Sequence, residues 1–164
     1  MGDIRLPRNL KEGLLYGSII CIITVIIMLL LNIGTSFGRL DSEVLFIIIK
    51  MVPLIFIIAM LLESFVVGKI ASRSVNKFIE PTDGFNARIL FNILFCVTGM
   101  SASMTIIGGM IGMGKLSLEP FYTFFAHWPR NFFVAFWCEI LLAQPFARFV
   151  IKNIHRYKEK KESV

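Results

Sequence analysis

The sequence has little charge for its length. Charged residues make up 17% of the 164 residues, whereas 56% are apolar, and the mean hydropathy is +0.76. This balance is typical of a chain that lies in lipid rather than in water. We therefore predict an all-α integral membrane protein, with the lipid bilayer as a partner.

Cysteine is also scarce, and the residue patterns of common catalytic sites are missing from the sequence. Cys21, Cys96 and Cys138 all fall in apolar stretches, and their odd number and spacing favour neither a disulfide framework nor a metal site. No Ser-His-Asp, Cys-His or His-Glu-x-x-His arrangement occurs, and the run GGMIGMG lacks the lysine and hydroxyl of a phosphate loop. We expect no catalytic residue, no metal, no cofactor and no enzyme activity.

Four apolar segments are long enough to cross a membrane. The uncharged runs 13–38 and 89–114 have 26 residues each, or about 39 Å as a helix against a hydrocarbon core of about 30 Å. Two more segments, 44–68 and 120–147, are interrupted by charges and prolines. The first run is about twice the apolar region of a signal peptide, so we expect an uncleaved span. The predicted organisation is a leader 1–12, a two-helix membrane unit 13–79, a connection 80–88, a second two-helix unit 89–155 and a tail 156–164.

Positive charge is distributed unevenly between the predicted loops. Thirteen Lys and Arg residues lie in the leader or in the ranges 69–88 and 148–161, which include the connection and most of the tail, against two in the loops on the opposite side. The positive-inside bias then predicts both termini in the cytoplasm, at a bacterial plasma (inner) membrane. The same bias accounts for the basic tail, so we expect no nucleic-acid partner.

The chain matches itself at an offset of 76 residues. Ten residue pairs are identical, and the informative ones are scarce residue types: Gly38/Gly114, Pro53/Pro129 and Glu63/Glu139. We interpret this as a duplicated two-helix hairpin. Because an even number of spans preserves orientation, the prediction is a four-helix transmembrane bundle of two parallel repeats, related by a pseudo-twofold axis along the membrane normal.

The second unit also resembles a known family. It joins a Met-Ser-rich helix to a Trp-containing helix with an Ala-x-Pro-x-x-Arg end, and the residues that match are Met100, Ser101, Ser103, Met104, Ala143, Pro145 and Arg148. This pattern is similar to domain-of-unknown-function family 2798, a bacterial group of small membrane proteins. The first unit looks like a diverged copy with Lys69 in place of the late proline. The resemblance covers almost all of 14–155 and implies a membrane location and a hairpin architecture, but no activity.

Polar residues within the spans are the candidate binding site. Glu63 and Glu139 lie about 9 to 13 Å from the predicted cytoplasmic face, where an unpaired charge costs several kcal/mol. With Gln144 and Asn92 they form a candidate buried polar site, which could bind or move a small solute or protons if helices two and four meet. The alternative is that each carboxyl only forms structural hydrogen bonds, for example with Tyr16, Asn92 or Arg148.

Three prolines are predicted to bend the second and fourth helices. Pro53, Pro129 and Pro145 each remove an amide and free the carbonyl four residues earlier. Beside Pro145, Gln144 and Glu139 could then line a polar pocket open to the cytoplasm. Alternatively, the prolines only shape the helices.

Small and interfacial residues suggest a second function class. Ser101, Thr105 and Gly109, and again Gly108 and Gly112, are small residues at spacing four, which lets helices approach closely. They could join the two halves, or join copies of the chain in a homodimer or a larger membrane complex. The alternative function is therefore a non-catalytic interaction or accessory protein. At the outer end, we expect an interfacial belt whose long side chains reach lipid headgroups: Lys50, His127, Trp128 and Arg130.

Overall fold

The structure is a computed structural model that describes residues 6–80, 84–114 and 116–162. Over these ranges the chain is helical, with no strand. Four helical segments are long and apolar enough to cross a membrane: Leu10–Phe37, Ser42–Phe78, Asn86–Gly112 and Phe124–Glu159. The predicted all-α class and the four candidate spans are therefore confirmed.

Two of the spans contain a π-helical turn, which we call π1 and π2. The elements in chain order are α1 (Leu10–Phe37), α2 (Ser42–Leu62), π1 (Glu63–Val67), α3 (Gly68–Phe78), α4 (Phe85–Gly112), α5 (Glu119–Tyr122), α6 (Phe124–Cys138), π2 (Glu139–Ala143) and α7 (Gln144–Glu162). The second span is thus α2, π1 and α3 in one continuous helix, and the fourth is α6, π2 and α7.

The helix ends follow ordinary capping chemistry. The Asn9 side chain accepts the Glu12 amide at 2.9 Å at the start of α1, and the Asp41 side chain accepts the Val44 amide at 3.0 Å at the start of α2. Gly38 ends α1 with φ of 65°, a left-handed conformation that a side chain disfavours. The turn from the first span into the second therefore depends on a glycine.

The four spans form a ring: consecutive spans pack against each other, and the first packs against the fourth. α1 packs against α2 on one side and against α6, π2 and α7 on the other, while α4 packs against π1 and α3 on one side and α6 on the other. The second and fourth spans consequently lie at opposite corners. Glu12 of α1 contacts His155 of α7 at 2.8 Å, which brings both ends of the described chain to one face of the bundle. We call this the terminal face.

Two clusters of buried apolar residues each join the helices of one hairpin. One cluster joins Cys21, Val25 and Leu29 of α1 to α2, and a smaller one joins Ile93 and Val97 of α4 to Ala135 of α6. Large apolar side chains cover the outside, such as Phe125 at 78% exposure and Ile49 at 67%. An apolar exterior around a small core is expected of a bundle that faces hydrocarbon rather than water.

Candidate functional site

The two candidate acids each begin a π turn. In π1 the Gly68 amide donates to the Glu63 carbonyl, and in π2 the Gln144 amide donates to the Glu139 carbonyl, so both bonds span five residues rather than four. Such turns insert one extra residue into a helix and are frequent at functional sites. They place both acids in a locally widened stretch of helix.

The prolines that were predicted to bend the helices do not create the two π turns. Pro53 and Pro129 lie inside α2 and α6, which remain α-helical around them, and Pro145 lies just after π2. The residue at the place of Pro145 in the other span is Lys69, and a π turn forms there as well. Proline is therefore not required for the π geometry.

Glu139 is held by neighbouring polar groups. The Gln144 side-chain amide donates to Glu139 Oε1 at 3.3 Å, and the Tyr16 hydroxyl donates to Gln144 Oε1. This chain of hydrogen bonds ties α1 to π2 and α7. The predicted association of Glu139 with Gln144 is thus present, with Tyr16 as its third member.

Glu63 has a different environment. Its side chain lies on a groove of about 300 Å³ between α1 and the second span, and Gly13, Gly17 and Lys69 are among the other residues that line it. Among the residues that the structure describes, none forms a hydrogen bond or salt bridge with the Glu63 carboxyl. The carboxyl is therefore half-buried, open to the groove and, within the described part of the chain, unpaired.

The structure brings together part of the candidate polar site. Glu139 is hydrogen-bonded to Gln144 and lies close enough to Glu63 for the two carboxyls to interact electrostatically, whereas Asn92 lies outside. Glu63 and Glu139 belong to spans at opposite corners of the ring, and these spans do not pack against each other in the described part of the chain. The two carboxyls nevertheless lie close enough to act electrostatically on each other and on Cys21 and Cys96.

Asn92 is exposed on the outside of α4. The buried stripe of this helix runs through Ile93, Val97 and Ser101, so the neighbouring position 92 points away from the bundle. Including Asn92 in a buried site was wrong.

A second polar network lies at the end of the bundle away from the terminal face. Arg130 Nη2 donates to Asn32 Oδ1 at 2.8 Å, and Asn131 Nδ2 donates to Thr105 Oγ1 at 3.1 Å. The Trp128 indole donates to Ser101 Oγ at 3.1 Å. These bonds connect α6 to α1 and α4.

This network corrects the predicted outer belt. Arg130 and Trp128 turn towards other helices instead of only reaching headgroups, because polar acceptors on α1 and α4 lie within reach. His127 is exposed, and Lys50 Nζ lies 4.3 Å from the centre of the Phe46 ring. Only these last two residues keep the surroundings expected of an interfacial belt.

The small residues of α4 divide between two faces. Ser101 and Thr105 accept hydrogen bonds from α6, and a Cβ on Gly109 would lie 3.0 Å from the Pro120 ring. A Cβ on Gly108 or Gly112 would meet no described atom within 4 Å. The first three residues therefore pack inside the bundle, and the last two face open space.

Sequence reasoning missed an ionic cluster at the terminal face. Glu12 accepts hydrogen bonds from His155 Nε2 and Lys158 Nζ, both at 2.8 Å, and Glu12 and His155 are 6% and 2% exposed. A sequence pattern could have predicted this cluster: Ala147, Ile151 and His155 are spaced four residues apart, which places the histidine on the buried stripe of α7.

Comparison with known proteins adds no further assignment. No family model, no curated protein and no solved structure matches the chain. The resemblance to domain-of-unknown-function family 2798 therefore stays a prediction.

Proposed function

We propose that the protein binds or moves a small solute or protons through the membrane-embedded carboxyl groups of Glu63 and Glu139. The observation that carries this proposal is the Glu63 carboxyl, which is half-buried at a π turn, open to a groove and unpaired among the described residues. No catalytic residue is assigned, and the solute acts as a ligand rather than as a reactant.

The energetics favour a ligand at Glu63. A carboxylate within a span costs several kcal/mol unless a proton, a cation or a hydrogen-bond donor compensates it. At Glu139 the donor is Gln144, whereas no described side chain serves Glu63. A proton or a cationic group entering through the groove would supply the missing compensation.

We further propose that the bundle is a tandem repeat of one hairpin. The π turns start 76 residues apart, and Gly38 and Gly114, also 76 apart, adopt φ values of 65° and 63°. The alanines Ala59 and Ala135 are both buried at the same separation. These coincidences support duplication, as does the family resemblance of the second unit.

The orientation proposal follows from the terminal face. Both described chain ends lie at this face. Most Lys and Arg residues of the sequence lie in or next to the leader, the connection and the tail. The positive-inside bias assigns this face to the cytoplasm of a bacterial plasma membrane. The groove beside Glu63 would then open on the cytoplasmic side.

Proton movement into liposomes containing the purified protein tests the proposed function. A trapped pH-sensitive dye reports acidification under an imposed diffusion potential, for the wild type and for Glu63→Gln, Glu139→Gln and the matched control Glu43→Gln. Glu43 has an exposed side chain paired with Arg39. We expect the wild type and the control to acidify the interior faster than empty liposomes, and Glu63→Gln to slow this. Equal rates for all four proteins would contradict the proposal.

An interaction or accessory role is the second candidate, and one observation favours it. Gly108 and Gly112 lie four residues apart on a side of α4 where no described atom would meet an added Cβ. Two such glycines let a second helix approach closely. Loss of a dimer in Gly108→Leu, with proton movement unchanged, would support this role.

A further inference from the structure

The groove beside Glu63 is closed at the matching place in the second hairpin. Residues of the groove and those 76 positions later pair as Gly13/Ile89, Gly17/Ile93, Met60/Phe136 and Ser64/Ile140. In the second hairpin Ile93 is buried, and the other three apolar side chains pack against its cluster. The first hairpin thus has small or flexible residues where the second has bulky ones.

The glycines keep the groove open from the α1 side. A Cβ added to Gly13 or to Gly17 would meet no described atom within 4 Å, so the space in front of both is unfilled. A cavity of about 300 Å³ lies at the lower end of the roughly 300 to 1,000 Å³ of small-molecule sites. The groove therefore has the size of a site for a small ligand.

The charged groups of the groove are arranged in a definite order. Glu63 is the deeper group, and Lys69 follows six residues later towards the terminal face, about 9 Å along the helix. Lys69 is exposed, with Nζ 5.8 Å from the Phe65 ring centre, and Ser72 lies beside it with its hydroxyl bonded to the Lys69 carbonyl at 3.1 Å. A ligand would meet a cation at the mouth and a carboxylate further in.

We propose that this groove binds a small free zwitterion, with its ammonium group on Glu63 and its anionic group on Lys69. The inference rests on the proposed function, because it uses the same Glu63 carboxyl and specifies the ligand class. A zwitterionic phospholipid has the opposite order: its phosphate lies deeper in the membrane than its ammonium group. The order of charges in the groove therefore favours a soluble ligand that enters ammonium first from the terminal face.

The test uses ε-aminocaproate as the probe, because its amino and carboxyl groups are separated by a five-carbon chain. Binding is measured by calorimetric titration of the full chain in nanodiscs of phosphatidylglycerol, with n-butylamine and butyrate as ligands that carry only one charge. We expect ε-aminocaproate to bind at least about tenfold more tightly than either, because each charge-assisted contact contributes about that factor or more.

Variants locate the probe in the groove. Glu63→Gln and Lys69→Gln should each weaken ε-aminocaproate binding about tenfold or more, and Gly17→Ile, which introduces the residue found at 93, should abolish it. Ala126→Ile is the control, because it introduces the same side chain at an exposed position of α6 that does not line the groove. Binding is compared only among variants whose helicity and elution volume equal those of the wild type. This criterion separates loss of binding from loss of the fold.

Each outcome decides the inference. Absence of probe binding to the wild type, equal affinity for n-butylamine, or full binding by Gly17→Ile would overturn it. Nanodiscs that contain phosphatidylethanolamine form a second arm. If the probe binds in phosphatidylglycerol but is displaced by phosphatidylethanolamine, the site belongs to a lipid headgroup and the inference is overturned. If Glu63→Gln slows proton movement while no zwitterion binds, the ligand class is wrong and the proposed function stands.

Discussion

A close approach between α4 and π1 allows a sharp packing prediction. A Cβ on Gly99 of α4 would lie 2.8 Å from Val67 Cγ1 and 3.5 Å from Cγ2. Val67 is 4% exposed and belongs to π1, so its side chain has little room to move aside. Gly99→Ala should therefore push α4 away from π1 and destabilise the bundle.

The expected size follows from two opposing effects. Overpacking by one methyl group costs about 1 to 3 kcal/mol, while replacing glycine by alanine inside a helix gains about 1 kcal/mol. Gly108→Ala is the matched control, because it has the same helical gain and no described atom within 4 Å of the new Cβ. Gly99→Ala should thus be about 1 to 3 kcal/mol less stable than Gly108→Ala.

The assay is reversible unfolding in mixed micelles, followed by helical circular dichroism. A double variant, Gly99→Ala with Val67→Ala, removes the atoms that clash and should recover stability relative to the sum of the single changes. Equal stability of Gly99→Ala and Gly108→Ala, or strict additivity with Val67→Ala, would refute the close approach of α4 and π1.

Two further predictions concern the polar contacts at the two ends of the bundle. Arg130→Leu leaves Asn32 Oδ1 without its donor at 2.8 Å and should lower the unfolding free energy by about 1 to 3 kcal/mol, whereas Lys50→Leu at an exposed site should change it by about 0.5 kcal/mol or less; similar values for both would contradict the inward role of Arg130. Glu12→Gln should lower the melting temperature more than Glu159→Gln, because Glu12 is buried against His155 whereas Glu159 contacts Arg8 in an exposed pair. Equal melting temperatures for the two variants would show that the ionic cluster does not stabilise the protein.

The sequence predicts the spans because their signal is local. Apolar runs of 26 residues and the scarcity of charge are enough to indicate four membrane helices. The matching positions of Glu63 and Glu139 are also visible in the sequence, because acids are rare within such runs. The contributions of α1 to the two sites are not visible, because Tyr16 near Glu139 and the α1 glycines of the groove near Glu63 are distant in the sequence.

The periodicity of an α-helix does not predict the hydrogen bond between Gln144 and Glu139. Gln144 is five residues after Glu139, and an α-helix of 3.6 residues per turn places residues with that spacing well apart around the axis. The π turn brings their side chains within hydrogen-bond distance. At the corresponding place Gly68 has no side chain to reach Glu63, and this difference separates a held carboxyl from an open one.

Two other errors have equally physical origins. Arg130 looked interfacial because its acceptor, Asn32, is 98 residues earlier in the chain and is brought near by the packing of α1 against α6. Asn92 looked buried because a polar side chain within a span usually faces the bundle. The buried stripe of α4 instead runs through Ile93 and Val97, which leaves Asn92 exposed.

The most direct test of the account is the relative reactivity of the two carboxyls. Dicyclohexylcarbodiimide reacts with protonated carboxyl groups in apolar surroundings, and peptide mass spectrometry of the labelled protein in membranes reports each site separately. We expect Glu63, open to its groove, to be labelled faster than Glu139, and Gln144→Leu to increase labelling of Glu139. Faster labelling of Glu139 than of Glu63 in the wild type would contradict an open carboxyl at π1 and a held one at π2.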